Sequence, residues 1–259
     1  VAQSVRLVAG RKLNMIAASP TLPDASEPES RVGAPGFLRF AGPGILLLAL
    51  ALRWFQLGDQ NLWYDENLTV AVSQSKGAEL FKALELESNK PPLYFLIMQA
   101  WVKDGASEFW IRLPSAICGT LTCLLALALG QELFGKGRGW LVGLLLAVSP
   151  FHVYYSQEAR MYALLGLTGT AALLFACWFA RSPTRRNAGL YLLAATLSCY
   201  TFTYGVFLLP FACLFSLCFR PRLSGKALAG FWATNVLVAL LFVPWVPRLL
   251  STVQSGSGL

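Results

Sequence analysis

The sequence predicts an all-α protein: a polytopic membrane helical bundle of about seven transmembrane helices, with a large outer loop that carries juxtamembrane helices. Of its 259 residues, 56% are hydrophobic and 13% are charged, a balance far from that of soluble domains. The apolar residues form runs whose lengths suit a bilayer. The net charge of +8 comes from basic residues scattered between these runs, where such residues set membrane topology. A nucleic-acid partner is therefore not expected.

The chain begins with a polar segment and then enters its first apolar run. Residues 1–36 are rich in Ala, Ser, Pro and charge and show no apolar periodicity. Because such a composition cannot bury a core, we expect a disordered cytoplasmic tail. Residues 37–57 predict the first span, and Arg53 near its end is expected to snorkel outward.

The later apolar runs predict the rest of a transmembrane module that covers residues 37–250. The further spans are expected at residues 113–134, 140–155, 161–180, 188–202, 204–219 and 227–250. The last one is expected to be kinked by Pro244 and Pro247. Residues 92–102 are apolar but reach only roughly half of the hydrocarbon thickness, which predicts an interfacial or re-entrant helix. The polar residues 251–259 predict the start of an outer segment of a longer chain.

The distribution of basic residues predicts the orientation. With seven spans and a cytoplasmic N-terminus, the basic clusters at 135–139, 181–187 and 220–226 all face the cytoplasm, as the positive-inside rule prefers. A crossing by residues 92–102 would move all of them outside, so that alternative is disfavoured. The outer loop at 58–112 and the small outer turn near 156–160 are then expected to be neighbours. Within the loop, residues 78–86 predict a short surface helix, because Leu80, Phe81 and Leu84 share one of its faces.

An adjacent pair of acids, Asp65 and Glu66, is the first candidate for chemistry. The pair follows Trp63 and Tyr64, residue types that favour the membrane interface. Repulsion between neighbouring carboxylates near a medium of low dielectric favours proton uptake, which suits a general base for a hydroxyl group. The alternative is a solvated loop whose acids simply favour the outer side.

A second candidate lies in residues 149–162. Glu158 and Arg160 stand at a membrane boundary between two apolar runs, where ionisable groups are costly and therefore often functional. The alternative is a local Glu158–Arg160 pair that caps the fourth span. His152 is a weaker candidate, because an interfacial aromatic residue would explain it equally well.

Two further cations are candidates for binding a phosphate group. Lys90 precedes Pro91 and Pro92 on a stiffened stretch of the outer loop, and lysine is a good point-charge partner for phosphate. Arg112, at the entrance of the second predicted span, would serve the same end. Contact with lipid headgroups is the alternative for both. No cofactor is expected, and no cluster of acids or histidines demands a metal, although a divalent ion is not excluded.

Several stretches, in this order, carry a family resemblance: LWYDENLT, NKPPLYF, FWIRLPSAICGTL, LFGKGRG and SPFHVYYSQEARMYALL. They resemble the GT-C superfamily of integral-membrane glycosyltransferases, nearest the branch of protein O-mannosyltransferases and lipid A aminoarabinose transferases. The resemblance covers residues from about 38 to 250 and implies a seven-span module, in agreement with the count above. It further implies a polyprenyl-phosphate sugar as donor, inversion at the anomeric carbon, and a protein, lipid or glycan hydroxyl as acceptor.

The resemblance also implies roles for individual residues. Asp65 matches the catalytic base of the first outer loop, Glu66 matches the second acid of its pair, and Lys90 matches a contact to the lipid phosphate. Residues 157–162 match a Gln-Glu-Ala-Arg-x-Tyr pattern of the second outer loop. The complete expected site comprises catalytic Asp65, Glu66 and Glu158; phosphate-binding Lys90, Arg112 and Arg160; and the possible substrate contacts Tyr64, His152, Gln157 and Tyr162.

The expected function is that of a glycosyltransferase in a bacterial cytoplasmic membrane, with its active site outside and membrane lipids around it. A transporter or lipid flippase is the rival, but such proteins place charges near the midplane and show repeated halves, whereas the spans here are nearly free of charge. A non-catalytic scaffold would leave the outer acids without a purpose. Relatives of this kind continue with further spans, which are expected to select the acceptor.

Overall fold

The computed structural model describes residues 38–87, 90–103, 105–218 and 223–254. Within these ranges all regular secondary structure is helical, which confirms the predicted all-α class. The predicted tail at 1–36, the basic residues Arg220 and Arg222, and the last residues 255–259 lie outside the described ranges.

The helices follow the predicted apolar runs to within a few residues. In chain order the α-helices are α1 (Leu38–Trp54), α2 (Tyr64–Gln74), α3 (Ala78–Ala83), α4 (Leu93–Trp101), α5 (Glu108–Phe134), α6 (Trp140–Val148), α7 (Pro150–Ser156), α8 (Tyr162–Arg181), α9 (Arg185–Thr201), α10 (Leu208–Cys218), α11 (Gly225–Phe242) and α12 (Val246–Gln254). Short 3₁₀ helices lie at Leu84–Glu87, Thr203–Phe207 and Val243–Trp245.

Long apolar helices identify an integral membrane protein. Glu108–Phe134, Tyr162–Arg181 and Gly225–Ser251 are each long and apolar enough to cross a bilayer. Phe40–Trp54 and Thr203–Leu217 are shorter apolar helices. The membrane class is confirmed, and the count of seven spans stays a prediction.

The third predicted span is divided into two helices, α6 and α7, at Ser149. Pro150 disfavours a helical backbone at the residue before it, and Ser149 adopts an extended conformation. The Ser149 hydroxyl then caps the new helix by accepting the backbone N–H of His152 at 3.4 Å. A 3₁₀ turn at Val243–Trp245 separates α11 from α12, and the kink at Pro244 and Pro247 stays a prediction.

The helices form a bundle with two chemically different ends. α8 packs against both α5 and α9, and α1 packs against α5 and α6. Arg181 at the end of α8 pairs with Glu132 near the end of α5, with 2.9 Å between Nη2 and Oε2. The basic connections that follow these two helices therefore lie at one end, as the charge pattern predicted. The other end carries residues 57–87 and 90–103 and the turn at 157–161, which we call the polar cap.

The polar cap contains the short helices that the sequence predicted. α3 and the 3₁₀ turn after it occupy the predicted 78–86 helix, with Leu80 and Leu84 buried and Phe81 partly buried. α4 is a helix of nine residues, which is too short to cross a bilayer. α2, which carries the acid pair, was not predicted from the sequence.

Arg53 is fully buried, so the expectation that it snorkels outward is wrong. Its Nη1 donates to the carbonyl of Ala147 at 3.2 Å, and its Nη2 donates to the carbonyl of Leu146 at 3.3 Å. At the break between α6 and α7 the Leu146 carbonyl accepts the backbone N–H of Ser149 at 3.3 Å. The guanidinium supplies a further donor to this carbonyl and a donor to that of Ala147. Nη2 also donates to Nδ1 of His152 at 2.8 Å. Since a guanidinium only donates, the neutral imidazole carries its proton on Nε2.

Candidate active site

The acid pair lies in the first turn of α2, where the positive end of the helix dipole favours negative charge. The backbone N–H of Trp63 donates to Glu66 Oε2 at 3.3 Å, which fixes the start of the helix. Consecutive helical residues do not share a face. Asp65 and Glu66 therefore belong to different environments, although they are adjacent in the sequence.

Glu66 is fully buried in an ion pair with Arg112. Arg112 Nε lies 2.9 Å from Oε1 and Nη2 lies 2.7 Å from Oε2, so the contact is bidentate. The backbone N–H of Ala159 also donates to Oε1 at 2.8 Å. The Glu66 carboxylate thus ties α2 to α5 and to the turn between α7 and α8. We call this arrangement the Glu66 clamp.

The remaining N–H groups of Arg112 donate hydrogen bonds to the segment between α1 and α2. Nη1 donates to the carbonyls of Leu57 and Gln60 at 3.1 and 2.8 Å, and Nη2 donates to that of Asn61 at 3.2 Å. Together with the two bonds to Glu66, each N–H of the guanidinium has an acceptor in the chain. A phosphate contact by Arg112 stays a prediction, and it would require the exchange of one of these bonds.

A second group of charges lies beside the Glu66 clamp and is centred on Glu87. Arg160 forms a bidentate pair with Glu87, with Nη1–Oε1 at 2.6 Å and Nη2–Oε2 at 3.2 Å. Lys90 Nζ lies 2.5 Å from Glu87 Oε2, and Asp65 Oδ2 lies 3.6 Å from Arg160 Nη2. We call these two cations and two carboxylates the charge cluster.

The four members of the charge cluster differ in exposure. The side chains of Arg160 and Glu87 are 1% and 2% exposed, whereas those of Lys90 and Asp65 are 24% and 38% exposed. Arg160 Nη1 also donates to the backbone carbonyl of Asp65 at 2.9 Å and to Thr69 Oγ1 at 2.8 Å. Arg160 and Glu87 therefore form a buried ion pair, and the solvent-accessible ammonium of Lys90 and carboxylate of Asp65 are bound to it.

Glu87 is the member that sequence reasoning missed. It precedes Lys90 by three residues at the end of a 3₁₀ helix, and this spacing is the signal that was available. Its pairing with Arg160, however, joins residues far apart in the sequence.

The turn between α7 and α8 is hydrogen-bonded to residue 55 at the end of α1 and to α2, which confirms the predicted proximity of the two loops. Besides the bond from Ala159 to Glu66, Gln157 Nε2 donates to the carbonyl of Phe55 at 2.9 Å. The Arg160 carbonyl accepts the hydroxyl of Ser115 at 3.3 Å. Arg160 pairs with Glu87 and Asp65. The alternative of a local ion pair between Glu158 and Arg160 is therefore not what the structure shows.

Glu158 lies on a cavity of about 590 Å³ next to the Glu66 clamp. Tyr154 lines the same cavity, and Glu158 Oε2 is buried with no hydrogen-bond partner in the described ranges. Burial raises the pKa of the Glu158 carboxyl above its usual range, and the negative charge of Glu66 acts in the same direction.

The other predicted substrate contacts are spread around this centre. Tyr64 is exposed at the start of α2, and Gln157 lines the Glu158 cavity. His152 and Tyr162 lie instead on a separate cavity of about 460 Å³, which is rich in aromatic side chains. The structure thus brings together the predicted acids and cations, whereas it places His152 and Tyr162 on a neighbouring surface. Among the residues whose placement is described, no group of three or more His, Cys, Asp or Glu is arranged as metal ligands.

The chain also matches a known protein family. The family model of dolichyl-phosphate-mannose-protein mannosyltransferases matches residues 89–247, more than half of the chain. No curated protein sequence matches the chain. The matched range contains Lys90, Arg112, Glu158 and Arg160, and the acid pair on α2 precedes it.

Proposed function

Because the chain belongs to the dolichyl-phosphate-mannose-protein mannosyltransferase family, we propose that it transfers a sugar from a polyprenyl-phosphate donor to a hydroxyl group. The acceptor is a protein, lipid or glycan at the outer face of the membrane. The observation that carries the proposal is the charge cluster, in which a solvent-accessible carboxylate and a solvent-accessible ammonium are held by one buried ion pair. A transporter or a scaffold would not account for membership of a glycosyltransferase family.

Lys90 is the proposed contact for the donor phosphate. An ammonium has three donors, and the bond to Glu87 is the one that Lys90 makes within the described ranges, so we assign the other donors to phosphate oxygens. Arg160 contacts Glu87 from the buried side and thereby holds the anion that positions Lys90. The positive charge of Arg160 also stabilises the charge that develops on the leaving phosphate.

Asp65 is the proposed general base. Its carboxylate is accessible, and its backbone is anchored by the bond from Arg160 to its carbonyl. The acceptor oxygen attacks the anomeric carbon while its proton passes to Asp65, and the carbon–oxygen bond to the phosphate breaks. The bonding pair leaves with polyprenyl phosphate, and attack from the opposite side inverts the configuration.

The Glu66 clamp supports this chemistry from the inside. Glu66 holds the first turn of α2 against Arg112 and Ala159, so the neighbouring Asp65 has a fixed position. Preorganised placement of this kind raises the rate because the reacting groups start near their transition-state geometry. We therefore assign Glu66 and Arg112 to positioning the base, and we retain Glu158 as a further acid of the site.

The orientation is part of the proposal. Basic connections at one end of the bundle and a polar cap at the other support a cytoplasmic N-terminus and an outward-facing cap in a bacterial cytoplasmic membrane. In a background without the native cysteines, Ser75→Cys should react with an impermeant thiol reagent in intact cells, whereas Arg138→Cys should not. The reverse pattern would refute the orientation.

Transfer itself is tested with membranes that contain the protein and a panel of radiolabelled polyprenyl-phosphate sugars, mannose and pentose donors included. We expect label to move from lipid to an acceptor with the wild-type protein and not with Asp65→Asn. The identity of the labelled donor distinguishes hexosyl from pentosyl transfer. Equal labelling of membranes with and without the protein, for every donor, would refute the proposal.

A further inference from the structure

The Glu158 cavity lies beside the Glu66 clamp and is bounded by Glu66 and Arg112 on one side; no contact to the donor or the acceptor has been assigned to it above. Its walls combine polar groups with apolar and aromatic surface. The lining residues are Leu52, Phe55, Gln56, Leu57, Gln60, Asn61, Trp63, Glu66, Arg112, Val153, Tyr154, Gln157 and Glu158. Its volume of about 590 Å³ lies in the range of small-molecule sites. It therefore has room for one sugar ring and part of the group attached to it.

Glu158 supplies an unused acceptor in this cavity. Its side chain is 7% exposed, and Oε2 has no hydrogen-bond partner within the described part of the chain. Glu66 and Arg112 line the same cavity but are saturated by each other and by the backbone. Buried polar atoms in native proteins normally have a partner, so a donor on a bound ligand would complete this site.

The chemistry of the walls selects the class of ligand. An anionic ligand is disfavoured by a buried carboxyl group, and a hydrocarbon chain would leave the polar wall unpaired. Gln56, Gln60 and Asn61 offer amides that both donate and accept hydrogen bonds, which suits hydroxyl groups better than a cation that only donates. Trp63 and Tyr154 lie partly exposed on the same cavity and offer flat apolar faces.

We propose that the Glu158 cavity is a pyranose-binding subsite, in which Glu158 Oε2 accepts a hydrogen bond from a sugar hydroxyl and Trp63 and Tyr154 pack on the C–H face of the ring. The carboxyl group has an acceptor oxygen in either protonation state. The inference rests on the proposed function, because the bound sugar would belong either to the lipid donor or to a glycan acceptor of the transfer. Glu158 stands two residues from Arg160, so the subsite adjoins the charge cluster.

The test uses the full chain in detergent and compares the wild type with Glu158→Leu, Glu158→Gln and Tyr154→Phe. Glu79→Gln changes an exposed acid on α3 and serves as the matched control. One arm measures equilibrium binding of radiolabelled polyprenyl-phosphate mannose and of sugar-free polyprenyl phosphate. The other arm measures saturation-transfer NMR signals from methyl mannopyranoside and methyl arabinopyranoside. Thermal unfolding shows that each variant is folded.

If the donor sugar occupies the cavity, Glu158→Leu should weaken binding of the sugar-bearing lipid about 10- to 100-fold, the range for a lost hydrogen bond to a charged group. Binding of the sugar-free lipid should then stay unchanged. If an acceptor sugar occupies it, the same variant should abolish the methyl pyranoside signal and leave lipid binding intact. Glu158→Gln and Tyr154→Phe should have smaller effects in the same arm, and they decide the matter if Glu158→Leu does not fold.

Sugar binding that is the same in the Glu158 variants and in Glu79→Gln would overturn the subsite. A wild-type protein that binds no pyranoside and does not distinguish the two lipids would overturn it as well. The proposed function fails separately. If the wild type transfers no sugar but binds pyranosides through Glu158, the subsite stands and the transferase proposal falls. If transfer occurs and binding ignores Glu158, only the subsite falls.

Discussion

The Glu66 clamp and the charge cluster begin at adjacent residues and differ in what their charges can still do. In the clamp, a fully buried carboxylate and guanidinium use their hydrogen-bonding capacity on each other and on the backbone. In the charge cluster, Arg160 and Glu87 are buried, while Asp65 and Lys90 remain accessible. The first acid of the pair is therefore accessible, whereas the second holds α2 in place, and this difference is why we propose Asp65 rather than Glu66 as the base.

The two groups of charges should also differ in how much they contribute to the stability of the fold. Burial of an ion pair carries a desolvation cost that the mutual attraction offsets only when the remaining donors are satisfied, and removal of one partner leaves an uncompensated charge. Partly exposed pairs contribute little to stability because water and salt screen them. Substitutions in the clamp should therefore act on folding, and substitutions of Asp65 and Lys90 should act on transfer.

Asp65→Asn should give the largest effect. The substitution keeps the size of the side chain and removes its basicity, and loss of a general base lowers the rate typically about 10²- to 10⁴-fold. The midpoint of thermal unfolding should stay near that of the wild type, because the Asp65 side chain is partly exposed. The measurement is the initial rate of sugar transfer with equal amounts of purified protein.

The matched control for Asp65→Asn is Glu79→Gln, which changes an exposed acid outside both groups of charges. This control should retain full activity. If Asp65→Asn keeps more than about a third of the wild-type rate, Asp65 is not the base, because that loss is far below the expected range.

Glu66→Gln should give the largest effect on stability. The change leaves the buried guanidinium of Arg112 without its counter-charge, and loss of one partner of a buried ion pair costs about 3–5 kcal/mol. We expect a clearly lower midpoint of thermal unfolding and a transfer rate, per folded molecule, that falls less than in Asp65→Asn. An inactive Glu66→Gln protein with an unchanged midpoint would mean that the roles of the two acids are reversed.

The sequence predicted the parts of the fold that depend on runs of apolar residues. The long helices and the short α3 and α4 follow from hydrophobic length and periodicity. α2 escaped prediction because its buried face is largely polar, with Glu66, Thr69 and Ser73 among its buried residues. A helix that buries polar side chains lacks the apolar stripe on which such predictions depend.

The site could be predicted in its residues but not in its pairings. Asp65, Lys90 and Arg160 were recognisable as charged residues beside predicted spans, yet the pairing of Arg160 with Glu87 joins residues that are far apart in the sequence. Arg53 was expected at the surface because a membrane helix end favours snorkelling, whereas the break at Ser149 supplies carbonyls for it inside the bundle. Both cases depend on long-range partners, which local sequence patterns do not encode.

Lys90→Ala tests an exposed member of the charge cluster without removing the buried Arg160–Glu87 pair. Loss of one charge-assisted contact to phosphate costs roughly 1.5–3 kcal/mol, so the KM for the lipid donor should rise about 10- to 100-fold. The KM for the acceptor and the unfolding midpoint should change little.

Arg160→Ala should also weaken donor use, but it should lower the unfolding midpoint as well, because Arg160 is buried against Glu87. Unchanged donor kinetics in folded Lys90→Ala protein would remove Lys90 from the phosphate site.

The smallest effect concerns two buried acids that line one cavity. Glu66 is paired with Arg112, whereas Glu158 Oε2 has no hydrogen-bond partner among the residues that the structure describes. Burial raises the pKa of Glu158 above its ordinary value of 4.5, so the folded state binds this proton more tightly than the unfolded state does. The wild type should therefore lose stability as pH rises from that ordinary value through the raised one, whereas Glu158→Gln has no proton to lose. The unfolding midpoint of Glu158→Gln relative to the wild type should increase with pH over this window. The midpoint of Glu79→Gln should follow the wild type. A difference between Glu158→Gln and the wild type that is the same at every pH would show that Glu158 ionises as readily in the folded protein as in the unfolded chain.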